Sequence, residues 1–189
     1  MEHSTGAYDE ISSGFSITSY HAKYFAHELT LRSPSDSIQK LASTLVDAQV
    51  DLNPHQVEAA LFAFRSPLSN GAILADEVGL GKTIEAGLVI AQKWAERKRR
   101  ILIIVPSNLR KQWNQELLEK FFLPSTIMEK ASFNDEIKKG HFNPFDQEAI
   151  FITSYHFAKG KDIYIQKPSW DLVIIDEAHR LRNVYKPGL

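Results

Sequence analysis

The 189-residue sequence predicts an α/β fold, a parallel sheet with helices on both faces. Three observations carry that reading. Strand and helix signals alternate from Ile73 onward, the pattern of strands linked by crossover helices. Apolar runs at Ile101–Val105, 149–153 and Leu172–Ile175 read as buried strands. A glycine-rich segment, Asp76-Glu77-Val78-Gly79-Leu80-Gly81-Lys82-Thr83, stands between an apolar run at residues 71–75 and a helical stretch at 83–94, in strand–loop–helix order.

That segment reads as a phosphate loop. Glycines let successive backbone N–H groups turn inward and approach an anion that side chains would block. The helix that follows turns its positive end toward the same anion. Lys82 is then placed for the β- and γ-phosphates of a nucleotide, and the Thr83 hydroxyl for Mg²⁺. Asp76 stands where the general pattern has its first glycine. A second motif, Asp176-Glu177-Ala178-His179, ends the apolar run Leu172-Val173-Ile174-Ile175. It sets two carboxylates at the C-terminal end of a buried strand, where parallel sheets keep their ligands. Asp176 suits the Mg²⁺ shell, and Glu177 suits orienting or deprotonating a water. The two motifs together imply ATP binding and most of a hydrolysis site.

The remaining elements follow in order. Residues 1–50 are expected to form an N-terminal extension: a disordered start, a strand and short helix over 15–31, and an accessory helix in which Ile38, Leu41, Ala42, Leu45 and Val46 recur at helical spacing. Residues 51–189 form the main domain. Asn53-Pro54 starts a helix, with proline at the first turn where its missing N–H is harmless. Val57, Ala60, Leu61 and Phe64 give that helix a core face. Gln56 lies in its first turn, a place from which an amide can pair with an adenine edge. The run Glu96-Arg97-Lys98-Arg99-Arg100 ends the loop helix with cations that complement its dipole. Pro106-Ser107-Asn108 is expected to cap a helix whose Leu109, Trp113, Leu117 and Phe121 face the core. Arg110 and Lys111 join Ser107 and Asn108 at that helix start, a setting suited to a nucleic-acid phosphate or, equally, to simple capping. Residues 130–147 read as helix and loop, His156 as a helix-start histidine, residues 159–162 as a turn, and Trp170 as packing.

These motifs resemble those of superfamily 2 helicase-like ATPases, and within them the Swi/Snf-type branch, closer to its bacterial members than to chromatin remodellers. Asp-Glu-Val-Gly-Leu-Gly-Lys-Thr matches motif I, and Asp-Glu-Ala-His-Arg-Leu-Arg-Asn, with its Asp-Glu-Ala-His box, matches motif II. Leu102 to Ser107 with Leu109-Arg110-Lys111-Gln112-Trp113 and Glu116 resembles motif Ia. Phe151-Ile152-Thr153-Ser154-Tyr155 resembles motif Ib, and Asn53-Pro54-His55-Gln56 the glutamine motif. The resemblance implies a RecA-like first lobe that holds Mg-ATP through Gln56, Asp76, Glu77, Gly79, Leu80, Gly81, Lys82 and Thr83. It implies catalysis by Lys82, Asp176 and Glu177, with Thr83 and Asp176 at the metal. His179 is implied as a coupling residue, and Pro106, Ser107, Asn108, Arg110, Lys111 and Ser154 as contacts to duplex DNA. A second RecA-like lobe, carrying an arginine finger, and the motif III strand lie beyond motif II, so this chain alone is expected to bind ATP or ADP and to hydrolyse little. Movement along duplex DNA, rather than strand separation, is the expected activity. A P-loop enzyme of another class, such as a kinase or AAA-type ATPase, and a nucleotide-binding scaffold module are the competing readings.

Composition bounds these expectations. Apolar content of 43% and charged content of 24% are ordinary for a globular domain with a proper core. A net charge of −1 means that nucleic acid must be met by a local basic face. The absence of cysteine excludes disulfides and thiolate–metal sites. With no apolar stretch near the ~20 residues of a membrane span and no signal pattern, a cytoplasmic location away from membranes is expected.

Overall fold

The computed structural model describes Lys23 and residues 53–65, 71–75 and 81–181. The expected strand and helix over 15–31 and the accessory helix at 38–46 lie outside the described residues, Lys23 excepted. So does the loop segment Asp76-Glu77-Val78-Gly79-Leu80. All the elements below belong to the unit Pro34–Leu189.

In chain order they are α1 (Pro54–Arg65), α2 (Lys82–Ala95), β1 (Ile101–Val105), α3 (Arg110–Phe121), β2 (Ser125–Ile127), α4 (Lys130–Lys138), β3 (Ile150–Ser154), α5 (Tyr155–Gly160), α6 (Asp162–Ile165), β4 (Leu172–Ile175) and a 3₁₀ turn (Ala178–Leu181). The four strands are parallel in the order β2-β3-β1-β4. The chain therefore runs two places outward from β1 to β2, reverses to β3, and crosses β1 to reach β4. Right-handed crossovers put the helix before a reversal on one face and those after it on the other. The core divides accordingly. Ile101, Ile103, Val105, Ile150 and Ile152 pack with α1, α2 and α3 through Leu61, Leu88, Ile90, Trp113 and Leu117. Leu102 and Phe151 face the other way, into a cluster with Met128, Phe133 and Phe145 against which Phe157, Tyr164 and Trp170 rest. Rings of that second layer meet edge to face, Phe133 with Tyr164 at 5.1 Å and Phe145 with Phe151 at 5.5 Å. The expected RecA-like lobe is present as a two-faced parallel α/β sheet.

Three sequence expectations need correction. Residues 71–75 do not join the sheet, and Ile73 there is 87% exposed. A five-residue run that is three-fifths glycine and alanine has little β-propensity. Leu172–Ile175 forms a strand but not a buried one: among the described residues it is the outer strand on the β1 side, with Val173 and Ile175 exposed. The Ser125-Thr126-Ile127 strand was not legible at all, being three residues long and paired only with β3. A smaller difference is that the turn read at 159–162 is reduced to Lys161, with Lys159 and Gly160 ending α5 and Asp162 starting α6.

The helices on the first face pack closely. Gly87 lies where an added Cβ would stand 2.2 Å from the Phe121 ring, itself buried between α2 and α3. Gly87→Ala is therefore expected to lower stability by about 1–3 kcal/mol, the usual cost of overpacking, despite alanine's better helix propensity. Urea unfolding should show a lower midpoint with an unchanged slope.

Candidate functional site

The β1–β3 register pairs Val105 with Ser154, and the β1–β4 register pairs Ile104 with Ile175. Parallel strands so aligned end together, which brings the segments after them, 106–110, 154–157 and 176–181, to one end of the sheet. Nearly all the described site candidates lie in those segments or at the start of α2.

Gly81 precedes α2 in the left-handed conformation, φ 89°, and its carbonyl accepts the Ile84 N–H at 2.7 Å. The cap residue is itself a glycine, so it brings no side chain to this helix end. Lys82 and Thr83 are the first two helical residues and are half-buried. Gln56, the candidate for the adenine edge, is buried. It sits at the third position of α1, and its Oε1 accepts the Asn53 N–H at 3.2 Å, one half of a capping box. Its amide lies against Gly81, where an added Cβ would stand 2.5 Å from Nε2. The glutamine and the end of the phosphate loop thus form one packed unit. Asp76, Glu77, Gly79 and Leu80 fall outside the described residues.

Asp176 follows β4 and extends its ladder, its N–H donating to the Ile104 carbonyl at 3.0 Å. The carboxylate is half-buried and its Oδ2 accepts the indole Nε1–H of Trp113 at 3.0 Å. Its main-chain carbonyl accepts the Tyr155 hydroxyl. Burial, and then the nearby Asp176 carboxylate, push the Tyr155 phenol above its ordinary pKa and keep it a donor. Glu177 adopts a left-handed backbone, φ 54°, which is costly for a side-chain-bearing residue and clusters at functional sites. This turn swings the chain into the 3₁₀ helix, with the Arg180 N–H on the Glu177 carbonyl at 3.0 Å. His179 Nδ1 lies 3.0 Å from Glu177 Oε2. A hard hydroxyl at Thr83 and a hard carboxylate at Asp176 are the donor types that Mg²⁺ takes alongside substrate phosphates. Asn183, the last residue matched to motif II, is outside the described residues.

The candidate polynucleotide residues divide. Ser107, Asn108 and Lys111 are exposed beyond β1, whereas Pro106 is buried. The expected side-chain cap of α3 is absent. Instead Leu109 is the cap residue, and its N–H bonds the Pro106 carbonyl at 2.9 Å, because Ser107 and Asn108 are used up in a turn. Arg110 is not free in solvent: Nε donates to the Ser107 carbonyl at 3.1 Å and Nη1 to Glu129 Oε2 at 2.8 Å. Buried Ser154 caps α5 by accepting the Phe157 N–H at 3.2 Å. Arg110 and Ser154 meet in an open groove of about 570 Å³ with Glu129, Lys130, Asn134 and Phe157.

Sequence reasoning missed three residues here. Trp113 and Leu117 share one spacing, so both read as core. Only the need of a buried indole N–H for a partner distinguishes them. Tyr155 and Glu129 carry no local signal of their contacts, which span 21 and 19 residues of chain.

The family of the chain follows from comparison with known proteins. Residues 22–186 match the SNF2-related domain. The chain belongs to this family. RNA polymerase-associated protein RapA of Yersinia pseudotuberculosis is 38% identical over 143 residues, covering 74% of this chain and 15% of that protein. RapA of Yersinia pestis is 37% identical over the same length. The chain therefore spans about one-seventh of the curated relatives it matches. Among solved structures, the Sulfolobus solfataricus SWI2/SNF2 ATPase core in complex with dsDNA has a TM-score of 0.62 at 24% identity, covering 75% of this chain and 29% of that one. The shared fold is that of a helicase-like, RecA-like N-terminal lobe, and the family is one of ATPases. No helix among the described residues is long and apolar enough to cross a membrane.

At Gly81 both the left-handed backbone and the Gln56 amide oppose a side chain. Gly81→Ala is expected to cost about 1–2 kcal/mol from the backbone alone, read as a lower urea midpoint. An unchanged midpoint would mean that neither constraint acts.

Proposed function

We propose that this chain is the ATP-binding first lobe of a DNA-dependent ATPase that moves along duplex DNA in the cytoplasm. The observation that carries the reading is the pairing of two sites. Gly81-Lys82-Thr83 opens α2 behind a glycine in the left-handed conformation, and Asp176-Glu177 closes β4 with the glutamate held in a left-handed turn.

On this reading the first-turn amides of α2 and the Lys82 ammonium bind the nucleotide phosphates, with Asp76, Glu77, Gly79 and Leu80 completing the loop. Gln56 pairs with the adenine while its capping bond fixes its orientation. Thr83 and Asp176 would hold Mg²⁺, which when bound neutralises charge on the phosphates. Glu177 orients the attacking water and accepts its proton, and its contact with His179 passes the state of that carboxylate into the 3₁₀ turn. Catalysis of this kind is mostly positioning and charge stabilisation.

Duplex DNA is the polynucleotide that the structural neighbour carries, and the groove at the strand ends is where this chain would meet it. Ser107, Asn108, Arg110, Lys111 and Ser154 present hydroxyls, an amide and cations there, the groups that contact phosphates without reading sequence. Pro106 acts by shaping the turn. The name of the bacterial relatives directs a search for protein partners to RNA polymerase.

In the full-length protein, Lys82→Ala is expected to weaken binding of a fluorescent ADP about ten- to a hundredfold, the worth of one charge-assisted hydrogen bond. Glu177→Gln should keep binding and abolish duplex-stimulated hydrolysis. Turnover indifferent to polynucleotide would overturn the translocase reading and favour another P-loop class. Unaltered function in both variants would favour a scaffold. The 189-residue chain by itself is expected to bind Mg-nucleotide but to turn over little, since an arginine finger from a second lobe is worth about 10³–10⁵ in rate.

Arg110→Ala and Lys111→Ala are each expected to weaken binding to duplexes of any sequence and to reduce the salt dependence, log K against log salt, by about one unit of slope. A sequence-dependent loss would contradict a phosphate role.

A further inference from the structure

Asp176 is held from outside its own strand at both ends. The indole of Trp113 donates to Oδ2 at 3.0 Å, and the Tyr155 hydroxyl donates to the main-chain carbonyl. Trp113 is buried at 4% exposure among the α2–α3 side chains, so its ring has no freedom to seek another acceptor. An indole donates only, so this bond forms with the carboxylate oxygen as acceptor and leaves Oδ1 available to a cation. The Tyr155 bond fixes the peptide on which Glu177 takes its left-handed turn.

Each donor belongs to a segment whose beginning lines the groove. Trp113 lies one turn along α3 from Arg110, and Tyr155 directly follows Ser154. Arg110 and Ser154 both line that groove, whereas neither Trp113 nor Tyr155 does. A ligand that draws on Arg110 or Ser154 therefore bears on the first turn of α3 or α5, and each of those turns carries one of the two bonds to Asp176.

We propose that Trp113 and Tyr155 are positioning residues that orient Asp176 and couple occupancy of the Arg110–Ser154 groove by duplex DNA to binding of the Mg-nucleotide. The inference rests on the reading of Asp176 as the Mg²⁺ carboxylate. Outer groups that hydrogen-bond a metal carboxylate set its orientation, and losing one typically costs 10–100-fold in metal affinity. Coupling through such bonds is reciprocal: if duplex shifts nucleotide affinity, nucleotide shifts duplex affinity by the same factor.

The test uses the full-length protein with Tyr155→Phe, which removes only the O–H donor, and Trp113→Phe, which keeps an aromatic ring but loses the N–H together with part of the indole. Fluorescent ADP is titrated with and without Mg²⁺, and again with a mixed-sequence duplex. Trp113→Phe is expected to need about tenfold more Mg²⁺ for half-maximal tight binding, and Tyr155→Phe, whose bond is to the main-chain carbonyl, a smaller increase, each with Mg²⁺-free affinity within about twofold of wild type. The change that duplex makes to ADP affinity should shrink toward none. An unchanged Mg²⁺ requirement in both variants overturns the proposal. An equal loss with and without Mg²⁺ also overturns it, as that would be the mark of a purely structural role, and so does wild-type protein in which duplex leaves ADP affinity unchanged. Asp176→Asn separates the two levels. If it raises the Mg²⁺ requirement and the two donor variants do not, the positioning role fails while the metal reading stands. If Asp176→Asn has no effect, the metal reading itself fails.

Discussion

The register of the β1–β3 ladder is the constraint on which everything else rests. Five residue pairs from Ile101–Ile150 to Val105–Ser154 tie the two central strands, and β1 then carries β4 in step. Because successive side chains point to opposite faces, a slip of β3 by one residue against β1 would turn Phe151 into the α1–α2–α3 layer and Ile152 out of it. Both faces are apolar, so burial alone would tolerate the exchange better than in a one-sided sheet. Shape does not. The first face is lined by isoleucine and valine beneath helices that approach as closely as Gly87 and Phe121, while the second surrounds the rings of Phe133, Phe145 and Phe151. The same register aligns the strand ends and so lays 106–110, 154–157 and 176–181 side by side. The site is a consequence of core packing.

That end of the sheet accepts costs that the core does not. Glu177 holds a left-handed backbone that would suit glycine better, and the worth of a non-glycine residue there is of order 1–2 kcal/mol unfavourable. The strand leading to it exposes Val173 and Ile175. Against these stand the bonds that Asp176 accepts from Trp113 and Tyr155 and the one its N–H donates to the Ile104 carbonyl, each net worth about 1 kcal/mol and more where a charge is involved. The balance holds the acidic turn in place without burying it. A carboxylate buried outright would be driven toward its neutral form, and one left loose would need to be ordered by each incoming nucleotide.

Where the sequence was informative, the reason is local. Ile101–Val105 and the 149–153 run are short, apolar and rich in β-branched residues, and both form strands within a residue of expectation. Leu109, Trp113, Leu117 and Phe121 repeat every four residues, and their helix buries that stripe. The Gly-x-Gly-Lys-Thr spacing placed the start of α2. What was not legible depends on partners distant in the chain. Nothing in Leu-Val-Ile-Ile says whether a strand will have one neighbour or two, so β4 looked buried. Residues 71–75 looked like a strand for the same reason, as apolarity is necessary for a ladder but does not supply one. The burial of Gln56 was not legible because its cap bond and its seat against Gly81 combine a local with a 25-residue contact. Trp113 was placed correctly and understood only in part: periodicity reveals which face a ring lies on, never what its N–H meets.

The Arg110–Glu129 pair bears on how a chain of net charge −1 can face a polyanion. Half of the Glu129 side chain and about a fifth of that of Arg110 remain open to water. A pair so exposed is worth about 0–1 kcal/mol, less at higher salt. On the reading proposed above, a phosphate entering the groove would compete with Glu129 for the Arg110 guanidinium, and a pair this weak would offer little resistance to the exchange. Arg110 is also held through Nε to the Ser107 carbonyl, a bond that the exchange need not break. The guanidinium can therefore change partners while its helix start stays fixed. Glu129, through the capping box it forms with Ser132 at the start of α4, stays anchored as well. Both partners in the exchange are thus attached to helix ends, and the groove between them can be pre-shaped in the absence of nucleic acid at the cost of one weak ion pair.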